Sequence, residues 1–199
     1  MDVNNYIKIP QCYQNLQTLP EDPDGTIVFG CATSQSQGFV KIHPIDSNGA
    51  MPFDNNAEII YGIYDTLTDN QALIEVANGV TTSNLRYVYS IVKSLMSEHG
   101  GVQYTCVFHL ETPDGVISAS AFFGETGMTG MRDTTIFSAL KSQGYLDGEN
   151  AMSWQFDPYF KDSKRGYQMN LSELEQFDTN FPEHPLSLLR AFIKHLING

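Results

Sequence analysis

Basic residues are scarce in this sequence, and long apolar runs are missing. Its 199 residues include 11 lysines and arginines against 23 aspartates and glutamates, which gives a formal net charge of −12. Because the phosphates of a nucleic acid repel such a surface, we expect no nucleic-acid partner. No stretch approaches the roughly 20 apolar residues that cross a bilayer, so we expect no membrane partner. The chain starts without a basic segment and an apolar run, which predicts a cytoplasmic protein.

Cysteine is scarce as well. Cys12, Cys31 and Cys106 are odd in number, lie far apart and include no CxxC pair. This pattern favours reduced thiols over a disulfide framework. If His43 and His109 lie on neighbouring strands with one of these cysteines near, a metal or thiol site forms. Strand-surface histidines are the simpler interpretation, because no two histidines have the i, i+3 or i, i+4 spacing of a helical zinc site. We expect no metal.

Motifs for catalysis are missing too. The sequence has no GxSxG around a serine, and its cysteines sit in no recognisable nucleophile motif. Carboxylates such as Glu111 and Glu125 form a glycosidase-like pair only by chance, as in any acidic protein. We therefore expect no catalytic residues, no cofactor and no enzymatic activity.

What the sequence does contain is a clear order of strands and helices. Helices are predicted over Asn55–Leu67, with Asp54 as the cap, and over Asp133–Ser142. Short turns such as TPDG at 112–115 join adjacent strands, and short turns require antiparallel pairing. The predicted strands are Thr26–Cys31, Phe39–Ile45, Ala72–Asn78, Leu85–Met96, Val102–Glu111 and Val116–Gly124.

The strand Val102–Glu111 indicates how the sheet packs. Its alternate residues form one apolar face, and the residues between them are mostly polar. The apolar set is Val102, Tyr104, Cys106, Phe108 and Leu110. One dry face and one wet face are typical of an antiparallel sheet. The sequence therefore predicts an α+β fold, an α-β-α sandwich in which helices flank a mainly antiparallel sheet.

The last quarter of the chain has a different character. Asn170 and Glu173 form a capping-box pattern that predicts a helix over Leu171–Phe177. Pro185 suits the first turn of a final helix. The apolar face of that helix consists of Leu189, Phe192, Ile193 and Leu196. Because a solvated helix needs no such face, we predict a domain over residues 1–145 and a two-helix tail, residues 146–199, packed on it.

The glycine-rich sequence GETGMTGMRDTT, residues 124–135, leads from the last strand into the second helix. It has neither the lysine of a P-loop nor the glycine spacing of a dinucleotide fingerprint. Backbone N–H groups at the start of a helix bind anions, and Arg132 would assist. The candidate ligand-binding residues are Thr126, Gly127, Thr129, Gly130, Arg132 and Asp133.

A purely structural interpretation of the same turn is simpler. Gly127 and Gly130 would take positive φ, Thr129 or Asp133 would cap the helix, and Arg132 would pair with an acid.

The order of elements over residues 6–144 resembles the PsbP-like superfamily. The strand sequences YVYSIVK and GVQYTCVFHLE, followed by a glycine-rich turn into a helix, are similar to uncharacterised bacterial members of that group. The resemblance implies an α-β-α sandwich that serves protein binding more often than chemistry. It carries over no functional residue, since the group has no common catalytic set.

These observations favour a soluble bacterial protein that acts as a non-enzymatic protein-binding or adaptor domain. Its acidic surface favours a basic or neutral protein partner. One alternative is a small-molecule or anion binder, with or without catalysis, that uses the turn Gly124–Asp133. The other is an immunity-type inhibitor of a toxin. The oligomeric state is left open.

Overall fold

Seven antiparallel strands form the main sheet, in the order β1-β2-β3-β7-β6-β5-β4. The computed structural model describes residues 1–96, 100–146, 153–163, 165 and 167–199. The strands of the main sheet are β1 (Gln14–Leu16), β2 (Ile27–Ala32), β3 (Ser36–Ile45), β4 (Gln71–Val80), β5 (Arg86–Leu95), β6 (Val102–Thr112) and β7 (Gly115–Glu125). A separate two-stranded ribbon pairs β8 (Gln155–Phe156) with β9 (Met169–Asn170).

Within the described ranges, three α-helices accompany the sheet. They are α1 (Asn56–Thr66), α2 (Met131–Ser142) and α3 (Pro185–Asn198). Helix α1 begins after Asn55, whose side chain accepts a hydrogen bond from the Glu58 N–H, so the prediction that Asp54 is the cap was wrong. Asn55 takes this role because its oxygen reaches the third N–H of the helix. Among the described residues, no helix is both long enough and apolar enough to cross a membrane.

One face of the sheet, here called the covered face, forms the core. On β6 it carries Tyr104, Cys106, Phe108 and Leu110, which are all buried. Helix α3 packs on this face against β3, β6 and β7. The apolar residues of α3 in the same core cluster are Leu186, Leu189, Phe192, Ile193 and Leu196. Pro185 occupies the first turn of α3, where its missing N–H costs nothing.

Helix α1 lies on the opposite face, here called the open face. Its residues Ile59 and Ile63 line a hollow together with Ser90 of β5 and Val107 of β6. Val107 points away from its neighbours Cys106 and Phe108, because successive residues of a strand face opposite sides. The protein is therefore α+β, with a large antiparallel sheet flanked by helices, as the sequence predicted.

The predicted helix over Leu171–Phe177 was wrong. The chain instead forms two 3₁₀ segments, Leu171–Glu173 and Glu175–Asn180. Leu174 separates them with an extended backbone, φ −63° and ψ 138°. The capping box is confirmed. The Asn170 side chain accepts a hydrogen bond from the backbone of the first segment, and the Glu173 side chain accepts one from Asn170 N. The capping box closes a single turn because Leu174 does not continue the helix.

Candidate functional site

The backbone of the glycine-rich turn has the positive φ angles predicted for two of its glycines. Gly127 and Gly130 have φ of 68° and 69°, in the left-handed region that favours glycine. Gly130 is the N-cap of α2, and no side chain caps this helix, so the predicted cap by Thr129 or Asp133 was wrong. Glu125 holds the turn instead, since its carboxylate accepts hydrogen bonds from Gly130 N and Val102 N, both at 3.0 Å.

Arg132 points from this turn into the protein interior. Its side chain is 1% exposed, and Nε donates to the Ser172 carbonyl at 2.8 Å. One terminal nitrogen donates to Ser187 Oγ at 2.9 Å, and the other bonds to Asp178 Oδ1 at 3.0 Å. The expected pairing of Arg132 with an acid is confirmed. The guanidinium thus binds the part of its own chain that follows α2, here called the C-terminal segment (described residues from 153 to 199).

The other candidate residues divide between the interior and the surface. Asp133 accepts hydrogen bonds from Ser172 Oγ and Asn170 Nδ2, and burial raises its pKa above the usual range. Gly127 is exposed, while Thr126, Thr129 and Gly130 are half-buried in the turn. The structure therefore brings Arg132 and Asp133 together under the C-terminal segment and leaves the other four at the surface. Ligand binding by this turn stays a prediction.

Arg132 and Asp133 belong to a larger group, here called the buried ion network. Its members are Glu75, Lys93, Tyr104, Glu125, Arg132, Asp133, Glu173, Asp178, His184 and Arg190. The centre is Glu173, which accepts from Tyr104 Oη at 2.7 Å and from Lys93 Nζ at 2.8 Å. The side chains of Lys93 and Glu173 are each 1% exposed. Charges this deep persist only when they are paired and hydrogen-bonded.

Arg190 of α3 extends the network to the edge strand. Its Nε lies 3.1 Å from Glu75 Oε2 on β4, and one terminal nitrogen donates to the Glu173 carbonyl at 2.9 Å. The same nitrogen lies 3.3 Å from Asp178 Oδ1. Glu75 also accepts a hydrogen bond from Tyr89 Oη. The C-terminal segment is therefore anchored to the sheet by charge as well as by apolar packing.

His184 closes the network at the glycine-rich turn. Its Nε2 lies 3.7 Å from Glu125 Oε1, and its ring packs edge-on against Tyr104 at 5.6 Å between centroids. Burial alone would raise the pKa of Glu125, but the neighbouring His184 and the hydrogen bonds from Gly130 N and Val102 N outweigh it and lower that pKa. The acids and bases of the network thus satisfy one another. Lys93 and Arg132 lie beneath the C-terminal segment, so a substrate would reach these two cations only by displacing it.

The alternative of a metal or thiol site, with His43 and His109 on neighbouring strands, does not agree with the strand order. Both residues lie in register with Ser118, so β7 separates the two strands that carry them. His109 Nδ1 accepts a hydrogen bond from Met51 N at 2.9 Å, while Cys106 lies on the covered face. Within the described ranges, no three His, Cys, Asp or Glu residues are placed to hold a metal ion. His99 lies outside those ranges.

The carboxylates Glu111 and Glu125 lie near opposite ends of the β6–β7 hairpin. Glu111 pairs with Val116 at the turn, whereas Glu125 is the last residue of β7. Val116 and Glu125 are nine positions apart along β7, which corresponds to about 30 Å. This separation excludes the glycosidase-like pair, because such carboxylates lie within about 10 Å of each other.

The accessible apolar surface lies on the open face. Phe39 of β3 and Phe122 of β7 stack there with ring centroids 5.0 Å apart. Phe39 is 37% exposed, and Leu16 of β1, beside it, is 44% exposed. Together with Met96 and Gln103 they line an open hollow of about 380 Å³, here called the phenylalanine hollow.

A second hollow lies on the same face, against α1. Met51, Pro52, Ile59, Ile63 and Val107 line this space of about 440 Å³, here called the α1 groove. Phe39 was not singled out from the sequence. The signal was present, because Phe39 has the opposite parity to Val40 and Ile42, which lie in the core cluster.

Comparisons with known proteins are sparse. The sequence matches no family model. It also matches no curated protein. Among solved structures, the Saccharomyces cerevisiae Ran-binding protein Mog1p is similar to this chain, with 8% sequence identity and a TM-score of 0.35. The match covers 68% of this chain and 75% of that one. A likeness of this size identifies neither a family nor a partner, so membership of the PsbP-like superfamily stays a prediction.

Proposed function

We propose that this chain is a non-enzymatic protein-binding domain and that its open face receives a basic amphipathic helix of a partner. The observation that carries the proposal is the accessible aromatic pair Phe39–Phe122 on the half of the open face that α1 leaves uncovered. Aromatic side chains at a surface supply much of the binding energy of protein interfaces. Apolar patches on a sheet face are typical of such interfaces.

The shape of the open face favours a helix as the bound element. The phenylalanine hollow lies on β3 and β7, and the α1 groove lies against β5 and β6. From β3 to β5 there are three strand spacings, or about 14 Å. A helix with its side chains measures about 10–12 Å across. A partner helix would therefore lie between the two hollows, beside α1, and complete the helical layer on this face.

Charge favours a basic partner. The chain carries a net charge of −12, and Glu58 lies at the wall of the α1 groove. Among the described residues that line the phenylalanine hollow, only Glu125 is ionisable, and its side chain is 7% exposed. The floor is thus neutral and the whole surface acidic. A partner helix with one apolar face would match the neutral floor, and lysines or arginines on its opposite face would match the acidic surface. Its association would weaken as the salt concentration rises.

Selection from a phage-displayed library of helical peptides on the purified protein tests this proposal. We expect enriched peptides with apolar residues at i, i+3 or i+4 and i+7, and lysine or arginine on the opposite side. Phe39→Ser should weaken their binding about thirtyfold, since loss of an aromatic anchor costs about 2 kcal/mol.

Tyr145→Ser is the matched control, because Tyr145 is an exposed aromatic residue, 66% accessible, that lines neither hollow. It should leave the affinity unchanged. Peptides that are acidic or extended, or that bind Phe39→Ser as well as wild type, would exclude this use of the open face.

The immunity-type alternative would use the same kind of surface. A selected partner that is an enzyme, and that loses its activity on binding wild type but not Phe39→Ser, would favour it.

The anion-binding alternative rests on the backbone of the turn Gly124–Asp133, because Arg132 is bonded to Asp178. Thermal stabilisation of wild type by inorganic phosphate or nucleotides would support that alternative.

A further inference from the structure

Two thiols meet at the edge of the sheet beside β1. Gln14 of β1 lies opposite Gly30 of β2, and the same register brings the residues just before β1 next to Cys31. The side chains of Cys12 and Cys31 line the same cavity, so the two thiols are neighbours at this edge. Both cysteines are free, and they line one open cavity of about 250 Å³ with Gln14 and Gln37.

The two cysteines differ in access to solvent. Cys12 is exposed, whereas Cys31 is half-buried on β2. Burial, together with the neighbouring Cys12, raises the pKa of the Cys31 thiol. An oxidant therefore meets Cys12 first. Cys31 lines the same cavity as Cys12 and is therefore the neighbouring thiol for the second step.

We propose that Cys12 and Cys31 are an oxidation site that closes to a reversible intramolecular disulfide when the protein meets a two-electron oxidant, a peroxide or a small-molecule disulfide. With hydrogen peroxide, the Cys12 thiolate attacks one oxygen and the O–O bond breaks, which gives a sulfenic acid and water. Cys31 sulfur then attacks Cys12 sulfur, the S–O bond breaks, and a second water leaves. The two thiols lose two protons and two electrons, and peroxide is reduced to two waters.

A small-molecule disulfide reacts by exchange. The Cys12 thiolate attacks one sulfur of oxidised glutathione and releases one glutathione thiol. Cys31 then attacks the Cys12 sulfur of the mixed disulfide and releases the second. Both routes end in the same bond, between the segment before β1 and the strand β2.

This bond would act on the edge of the phenylalanine hollow. Strand β1 has three residues, all exposed, and it pairs with β2 alone. Leu16 of β1 lies over Gly30, where a Cβ atom would come within 2.9 Å of Leu16 Cδ1. Leu16 also lines the hollow. A disulfide would hold β1 against β2 and keep Leu16 in place, whichever molecule the open face binds.

Intact mass spectrometry of the purified protein tests the proposal directly. The protein is incubated with oxidised glutathione, quenched with N-ethylmaleimide, unfolded and measured, and its peptides are mapped. We expect a monomer that has lost two hydrogens, carries one alkylated thiol at Cys106 and yields a Cys12–Cys31 cross-linked peptide. Dithiothreitol should restore three alkylated thiols.

The variants Cys12→Ser and Cys31→Ser should each abolish the loss of two hydrogens. Cys106→Ala is the matched control, since Cys106 is 1% exposed on the covered face, and it should leave the disulfide intact. Circular dichroism would verify that the variants fold. Three outcomes would each overturn the proposal: three alkylated thiols after oxidation, a stable glutathione adduct at Cys12, or a disulfide-linked dimer.

Discussion

Glu173 accepts three hydrogen bonds at a depth that water does not reach. Its donors are Tyr104 Oη, Lys93 Nζ and Asn170 N, at 2.7, 2.8 and 2.8 Å. Lys93 has a second partner, since its ammonium lies 4.3 Å from the centroid of the Tyr167 ring. Such a pair gains little net stability over apolar residues of the same size. We infer that the pair instead fixes the position of the C-terminal segment, because Glu173 must reach Lys93.

Removing one partner of this pair should be costly. We expect Glu173→Gln to lower the free energy of unfolding by about 3–5 kcal/mol, because the Lys93 charge would stay buried without a counterion. Lys93→Met should cost a similar amount, and the double variant should cost less than the sum of the two. Urea denaturation measures all three.

The exposed pair Lys194–Glu175 gives the control for that experiment. Its atoms are 2.6 Å apart, but the side chains are 58% and 59% exposed. Lys194→Met should therefore cost less than about 1 kcal/mol. If Glu173→Gln were as mild as Lys194→Met, the buried pair would not anchor the segment.

His109 should make stability depend on pH. Burial lowers its pKa to about 4 from the usual 6.5, and His43 adds to this effect. Between these two values the unfolded chain binds a proton that the folded protein does not, so stability falls as pH falls through this window. The loss from pH 6.5 to about 4 should be on the order of 3 kcal/mol.

Urea denaturation across that pH range, on wild type and His109→Asn, checks the expectation. Asparagine supplies an oxygen that can accept the Met51 N–H in place of Nδ1 and does not titrate. The variant should show a flatter dependence on pH. His43, whose pKa burial also lowers, should leave a residual slope of the same sign. Equal slopes in the two proteins would show that His109 is not responsible.

At the scale of the elements, alternation and strand composition were the most informative patterns. The strands predicted at Ala72–Asn78, Leu85–Met96 and Val102–Glu111 agree with β4, β5 and β6 to within two residues at each end. Apolar residues alternate along β6, while β4 and β5 have runs of consecutive buried residues and were recognised from their content of β-branched, aromatic and other apolar residues. Strand β1 was not predicted, since its three residues are all exposed and carry no such pattern.

The errors within the elements have local causes. Strand β3 begins at Ser36, three residues earlier than predicted, because a polar sequence there pairs with β7 without a side-chain signal. The caps of α1 and α2 were misassigned because adjacent polar residues compete for one position, and only the backbone decides between them. The network around Glu173 joins residues 80 positions apart in sequence, and no short sequence motif predicts such a contact.

At the scale of the whole molecule, the C-terminal segment decides whether the sheet has a core. Helix α3 contributes five buried side chains to the covered face, Leu186, Leu189, Phe192, Ile193 and Leu196. Full burial of such a side chain stabilises a protein by about 1.5–3 kcal/mol. Their sum, about 10 kcal/mol, equals the whole stability of a typical domain. The segment also supplies Glu173 and Asp178, the partners of Lys93 and Arg132.

The first 145 residues should therefore not fold by themselves, although the sequence suggested a domain boundary at that point. Without the segment, the covered face would expose Phe108 and Phe123, and two buried cations would lose their counterions. We expect a chain of residues 1–145 to show no cooperative urea transition, whereas the full chain unfolds in one step.

Adding a synthetic peptide of residues 153–199 should restore a transition whose midpoint rises with peptide concentration, because binding stabilises the folded state by mass action. The same peptide with Glu173→Gln should restore it less well. A sharp transition in the isolated 1–145 chain would instead mean that the sheet, α1 and α2 form a domain of their own, and that residues 146–199 are free to leave the covered face and contact a partner.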